Sequence, residues 1–229
     1  MWKIVLLVSL IPPIAVVAMR KWFCDRVLQK LPARGTNQTG EKLAGHLARH
    51  FKLSGIFELK KGKRTGLKSG EPSVLSLSEA DWAGKDIASL ARVALLVSRA
   101  AAERDHAPLW GWRDWAIRFG IAFPAFTLLV VVFAVAVAKL SGFVAIVIVV
   151  GAFALASLFL LATMPVELEA ARQAATFVER TNALPRQSDG EEVARCCHAL
   201  AWSRIVPGSL EWAVGKPGIG GRNSLEGDD

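Results

Sequence analysis

The sequence predicts a mainly α membrane protein, with about three transmembrane helices plus a small α+β domain on the cytoplasmic side built around a short strand pair. Three observations carry this. Between Phe119 and Val166 the only charged residue is Lys139. The apolar runs on either side of it, Phe119 to Ala138 and Leu140 to Val166, each reach the length of about 20 residues that a helix needs to cross a hydrocarbon core of about 30 Å. The chain is also 52% hydrophobic yet 21% charged, with a mean hydropathy of +0.35; these values agree only if charge and apolarity are segregated along the chain. Finally, a second apolar run, Ile4 to Ala18, is followed at once by Arg20 and Lys21. A chain of 229 residues cannot wrap two all-round apolar helices of this length in a soluble core.

Taken in order, residues 1–19 form either a first transmembrane helix, short and kinked at Pro12-Pro13, or a signal anchor or leader with Lys3 before the apolar run and Ala18 at a cleavage point. The basic residues that follow (Arg20, Lys21, Arg26, Lys30, Arg34) favour a retained, cytoplasmically anchored helix. Residues 20–115 are expected to form the cytoplasmic domain. Leu31 to Gly40 is a linker, and its Asn37-Gln-Thr39 sequon carries no meaning on an inner face. Thr39 can cap a helix from Glu41 to about Lys52, whose apolar stripe is Leu43, Leu47 and Phe51. His46 and His50, one turn apart, could hold a metal, but Leu47 stands where a catalytic Glu is needed, so surface histidines are the expected reading.

Gly55 to Leu59 and Ser73 to Leu77 have strand character, joined by a basic stretch, Lys60, Lys61, Lys63, Arg64 and Lys68. That stretch is open to two readings: a solvated hairpin tip, or a contact with an anionic leaflet worth about 1 kcal/mol per basic residue. Nucleic acid is not expected as a partner, because no aromatic residue is interleaved there. Ser78-Glu-Ala-Asp81 reads as a capping box. A helix from about Lys85 to Asp105, with the apolar core Ile87 to Val97, is expected to be the buried helix of the domain. His106-Ala-Pro-Leu109 ends it, and the Trp-rich stretch Trp110 to Trp115 leads into the next span.

Residues 116–164 form the transmembrane hairpin, closed by a tight turn at Lys139-Leu-Ser-Gly142. Residues 165–205 form cytoplasmic helices. Pro165 suits a first turn, with Glu167 near the helix N-terminus; a polar turn spans Asn182 to Gly190, and a last helix runs from Glu191 to about Ile205 with Cys196-Cys-His198. Residues 206–229, rich in Gly, Pro and Ser, are expected to be a flexible tail, with Leu210, Trp212 and Val214 available to dock. Lys and Arg dominate the segment from Arg20 to Arg118 and the C-terminal helices, so the positive-inside rule puts both on the cytoplasmic side of the plasma or inner membrane and puts the N-terminus and the Lys139 turn outside. Trp22, Trp110, Trp112 and Trp115 fit an aromatic belt on the inner face. Three cysteines, Cys24, Cys196 and Cys197, fit a reducing compartment rather than a disulfide framework.

In this order the parts resemble the YugP-like membrane proteins, a family of neutral zinc metallopeptidases. The resemblance is carried by Thr39-Gly-Glu-Lys-Leu-Ala44, by Leu75-Ser-Leu-Ser78 followed by Ile87-Ala-Ser-Leu-Ala91, by His106-Ala-Pro-Leu109, and most specifically by Met164-Pro-Val-Glu-Leu-Glu-Ala-Ala-Arg172. Leu200-Ala-Trp202 echoes a further family stretch, and the likeness covers roughly residues 1–205. It implies that the cytoplasmic domain is zincin-like, with zinc as the family's cofactor. It also implies a His-Glu-x-x-His motif on the central helix, where two His a turn apart bind zinc and the Glu activates its water.

At the aligned positions this chain has Leu95, Leu96 and Arg99; a slip of one residue gives Ala94, Leu95 and Ser98. None of these can ligate zinc, so zinc is expected to be lost and no metal or catalytic residue is assigned. The family's acidic stretch between the strands reads Leu67-Lys-Ser-Gly70 here. Of the implied metal-facing groups, Glu167 alone persists. Arg99 could pair with it, although the expectation is that Arg99 faces solvent.

Three functions follow. The favoured one is a non-enzymatic member kept as a structural, partner or regulatory subunit, meeting membrane lipids and another membrane protein or a second copy of itself. The first alternative is an active zinc peptidase rebuilt from His46, His50, His106, His198, Cys196 and Cys197. The second is a basic lipid-binding module using the Lys60–Lys68 cluster. A transporter is disfavoured, because the spans hold no ionisable residue on which to move a substrate. Small residues of the third span (Gly142, Gly151, Ala152, Ala154, Ala156) permit close helix packing.

Overall fold

The computed structural model describes residues 2–32, 35–53, 55–68, 73–181 and 183–210. Three helical stretches are long and apolar enough to cross a membrane: Lys3–Gln29, Ala107–Ala138 and Gly142–Arg180. The first is α1 (Trp2–Arg20), a π-helical turn (Lys21–Asp25) and α2 (Arg26–Gln29) in succession, with Pro12 and Pro13 carried inside α1. Helix therefore continues past the apolar run and takes Arg20, Lys21 and Arg26 of the basic cluster with it, ending before Lys30. The other two are α6 (Ala107–Ala138) and α7 (Gly142–Ala162). Their turn is as tight as expected. Lys139 adopts the left-handed conformation (φ 53°) and ends α6, and Ser141 opens α7, its Oγ accepting the Val144 N–H at 3.4 Å. α7 lies against both α1 and α6. The outer face of α6 is bare: Leu129, Phe133 and Val137 are 68%, 68% and 65% exposed, a surface that no protein layer among the described residues covers.

α6 starts earlier than the span itself. It begins at Ala107, with Pro108 in its first turn, so the Trp-rich stretch and the span form one rod. Trp112, Trp115, Phe119 and Phe123 stack in a column along it, with centroids 5.1, 5.1 and 4.6 Å apart, and Phe159 of α7 meets Trp112, Trp115 and Phe119 edge-on.

Outside the spans, the polypeptide wraps α5 (Ile87–Asp105), which is buried along most of its length, as the apolar core Ile87 to Val97 leads one to expect. α3 (Gly40–His50), α8 (Met164–Arg180) and α9 (Gln187–Trp202) pack on it. Thr39 stands at the N-cap of α3 in extended conformation, but its side chain makes no capping bond, contrary to expectation. α9 begins at Gln187, inside the expected polar turn. Gly190, expected to close that turn, is buried inside the helix, beside Val178 of α8.

The strand region needs a larger correction. Instead of a hairpin pair there are three strands, β1 (Phe57–Gly62), β2 (Gly66–Lys68) and β3 (Ser73–Ser78), in the order β1-β3-β2. β1 runs parallel to β3, with Lys60 opposite Ser76 and Lys61 opposite Leu77, and β2 is antiparallel to β3. The basic stretch is therefore mostly strand rather than a hairpin tip. Exposed lysines suit an edge strand, and two of these are neutralised locally: Lys60 pairs with Glu58 at 2.8 Å and Lys61 with Glu79 at 2.6 Å.

The expected capping box forms by half, because the Ser78 N–H goes to Thr65 Oγ1 at 2.9 Å rather than to Asp81. Ser78 caps α4 (Glu79–Trp82) by accepting the Asp81 N–H at 3.2 Å. Asp81, 4% exposed, accepts in turn from Ser78 and Arg92 (2.9 and 2.8 Å) and from Thr65. Burial alone would raise its pKa; the hydrogen bonds from Thr65, Arg92 and Ser78 and the Arg92 charge outweigh that and hold it below the ordinary aspartate value.

The start of the expected tail is docked. Ile205 and Val206, next to two short 3₁₀ turns (Ser203–Ile205 and Gly208–Leu210), are buried with Val16 of α1 and Met164 of α8, and Leu210 packs on the same cluster. Trp212, Val214 and the rest of 211–229 lie outside the described residues, as does Arg34.

Candidate functional site

The most unusual chemistry in the molecule lies where α5, α6 and α8 meet. Glu167 is 1% exposed in the first turn of α8. Its two carboxylate oxygens are held by two different guanidinium groups. Arg99 Nε donates to Oε2 at 2.8 Å with Nη2 at 2.6 Å, and Arg113 Nε donates to Oε1. Arg99 and Arg113 side chains are each 11% exposed. Arg113 also reaches Asp114 at 2.6 Å and lies over the Trp110 ring at 4.7 Å. Arg204 is near enough for its charge to act on both Arg99 and Glu167.

The local sequence explains the placement. Arg99 is one turn beyond Leu95 on α5, and Leu95 and Leu96 are 2% and 7% exposed, so this face of α5 is turned inward. Pro165 in the first turn of α8 fixes the entry from α7 and sets Glu167 one turn from the end of the third span. Burial pushes the Arg99 guanidinium down to about 10, as do the Arg204 and Arg113 charges, while Glu167 pulls the other way; Arg99 remains a cation at neutral pH. Burial likewise raises Glu103 on α5, with Asp114 adding to it.

The expectation that Arg99 faces solvent is therefore overturned. The missed participant is Arg113: only the start of α6 at Ala107 reveals which way it points, and no motif in the sequence flags it.

The family model described as "putative neutral zinc metallopeptidase" matches residues 4–206. The chain belongs to that family. No curated protein and no solved structure matches it.

Against the family's zinc, the residues present do not fit. Both oxygens of Glu167 are engaged by guanidinium groups, and the aligned positions Leu95, Leu96 and Arg99 offer no lone pair to a metal. Among the described residues no group of three or more His, Cys, Asp and Glu is placed to hold one. The residues of the rebuilt-site reading are dispersed. His46 is exposed on α3, and His50 stacks on Phe177 at 4.7 Å. His106 precedes α6, and His198 is half-buried on α9, where burial and Arg172 lower its pKa. Cys196 and Cys197 are fully buried. Burial pushes Cys196 up to about 12 and Cys197 well above the ordinary thiol value, so neither is a ready nucleophile. Of the basic cluster, Lys63 and Arg64 are exposed between β1 and β2, and the Lys68 side chain lies outside the described residues.

Proposed function

We propose that this chain is a catalytically silent member of the zinc metallopeptidase family, inserted in the plasma or inner membrane with its soluble part on the cytoplasmic side, and acting as a structural, partner or regulatory subunit. The observation that carries this reading is the Arg99–Glu167–Arg113 cluster. A guanidinium from the central helix sits on the one acidic group that the resemblance assigns to the metal side, so a fixed cation does the electrostatic work of a dication there. A cation at that place cannot activate water; it can hold α5, α6 and α8 together. The bare apolar faces of the spans supply surface for lipid, a second membrane protein or another copy of the chain.

The test is the metal content of the detergent-purified full-length protein beside its Glu167→Ala variant, with peptidase activity measured before and after chelation. The expected outcome is substoichiometric zinc in both proteins and no chelator-sensitive hydrolysis. Stoichiometric zinc that disappears in Glu167→Ala, or peptide cleavage abolished by chelator, would overturn the proposal and support the rebuilt site.

A further inference from the structure

The cytoplasmic ends of the three spans are tied together by a short strap. Leaving α9 at Trp202, whose indole stacks on Phe23 at 4.7 Å, residues 203–210 pass Val16 and Met164 through the buried side chains of Ile205 and Val206. They end against α6, where a Cβ on Gly208 would stand 2.9 Å from Ile121 Cγ1. Two exposed arginines flank this crossing. Arg204 lies on the strap itself. Arg118 is one helical turn before Ile121 and so shares its face of α6. Both are exposed, and neither makes an ion pair among the described residues. The arginines behind them are already committed, Arg99 to Glu167 and Arg113 to Glu167 and Asp114.

The surroundings have the character of a headgroup layer. On one side are the partly exposed indoles Trp112 and Trp115 (37% and 47%), and on the other the exposed apolar side chains Ile121 and Phe126 (50% and 64%). Indoles favour the level at which a bilayer passes from hydrocarbon to water, and an acyl chain suits the apolar face beyond it. By contrast, the basic stretch on the sheet has Lys60 and Lys61 neutralised by Glu58 and Glu79.

We propose that Arg118 and Arg204 form a binding site for the phosphate of an anionic phospholipid, seated where the 203–210 strap meets α6. The site rests on the membrane reading above. Two exposed guanidinium groups, Arg204 on the strap, with its charge also felt by Glu167, and Arg118 one turn before the Ile121 contact, offer a phosphodiester charge-assisted hydrogen bonds while its chains lie along α6. The proposal puts the lipid contact here rather than on the Lys60–Lys68 stretch.

The experiment uses the full chain, purified in detergent and delipidated, then offered phosphatidylglycerol or phosphatidylcholine and read by native mass spectrometry. Phosphatidylglycerol is expected to remain bound and phosphatidylcholine to wash off, and Arg118→Gln with Arg204→Gln together should weaken retention by about thirtyfold with an unchanged far-ultraviolet circular dichroism spectrum. Equal retention of the two lipids would overturn the proposal. So would retention unaffected by the double variant, loss instead in Lys60→Gln/Lys61→Gln/Lys63→Gln/Arg64→Gln, or displacement of the lipid by millimolar inorganic phosphate. Alkaline carbonate extraction separates the two levels: release of the chain from membranes sinks the membrane reading itself, whereas a chain that stays in the membrane but shows no lipid preference sinks this site alone.

Discussion

Arg99 and Glu167 form a buried ion pair whose second carboxylate oxygen is held by Arg113. Removing one partner of a buried pair leaves an uncompensated charge and costs about 3–5 kcal/mol, whereas replacing both by apolar groups of similar volume is often close to neutral. Glu167→Leu, which strands two guanidinium groups, is therefore expected to lower stability by about that amount, and Arg99→Leu by less, because Arg113 still holds Glu167. Arg99→Leu/Glu167→Leu should lose less than Glu167→Leu alone, because Arg113 keeps Asp114 at 2.6 Å. Denaturant or thermal unfolding in detergent gives the cycle, and simple additivity of the single losses would refute direct coupling. Half of this site was legible in the sequence. Glu167 stands in a stretch specific enough to single it out, and Arg99 falls on an aligned position. Its direction was not legible, since an arginine on an apolar helix ordinarily snorkels to water, and only the carboxylate arriving from α8, distant in sequence, turns it inward.

At the scale of the element, two glycines of α3 make opposite demands. A Cβ on Gly40 would stand 2.0 Å from the Asp81 carbonyl oxygen and 3.1 Å from Val93 Cγ2, while one on Gly45 would meet nothing within 4 Å. Gly40→Ala is expected to cost about 3 kcal/mol or more, since backbone must move. Gly45→Ala should gain about 1 kcal/mol from helix propensity. Paired melting curves check both signs, and a loss at Gly45 would contradict the packing described. The α4 cap makes a pH prediction. The native Asp81 value lies below the unfolded one of about 3.9, so its contribution is complete above that pH and fades as pH falls through the native value. Asp81→Asn should cost about 2–3 kcal/mol near neutrality and flatten the acid limb of a stability–pH curve; an unchanged acid limb would assign it to other carboxylates. Strand existence was legible from β-branched and alternating residues. Strand direction was not: three residues of β2 are too few for a periodic signal, and without them the eye joins β1 to β3 as a hairpin.

At the scale of the whole molecule, the hairpin and its turn were plain from hydropathy, because a bilayer demands length and apolarity and little else. The clasp at residues 203–210 was hidden, since Gly208 and Pro207 resemble the tail that follows. The proposed orientation has a direct test. The native thiols Cys24, Cys196 and Cys197 are all fully buried, so background labelling is low. Ser141→Cys should react with an impermeant maleimide on intact cells, and Lys42→Cys only after permeabilisation; the reverse pattern would invert the topology. One further property follows from the way α7 runs into α8 with Thr163 alone between them, a 39-residue helical stretch from Gly142 to Arg180. At about 1.5 Å per residue such a rod is roughly 58 Å long, and Glu167 rides on it about 7 Å beyond the end of its apolar half. Spans tilt to match the thickness of the bilayer around them. A change in tilt of about 10° would swing Glu167 sideways by about 1 Å, a large fraction of the slack in a hydrogen bond. In the proposed membrane setting, the grip of α5 on α8 is thereby geared to bilayer thickness, and the domain built around α5 would register a change in the lipid around the spans.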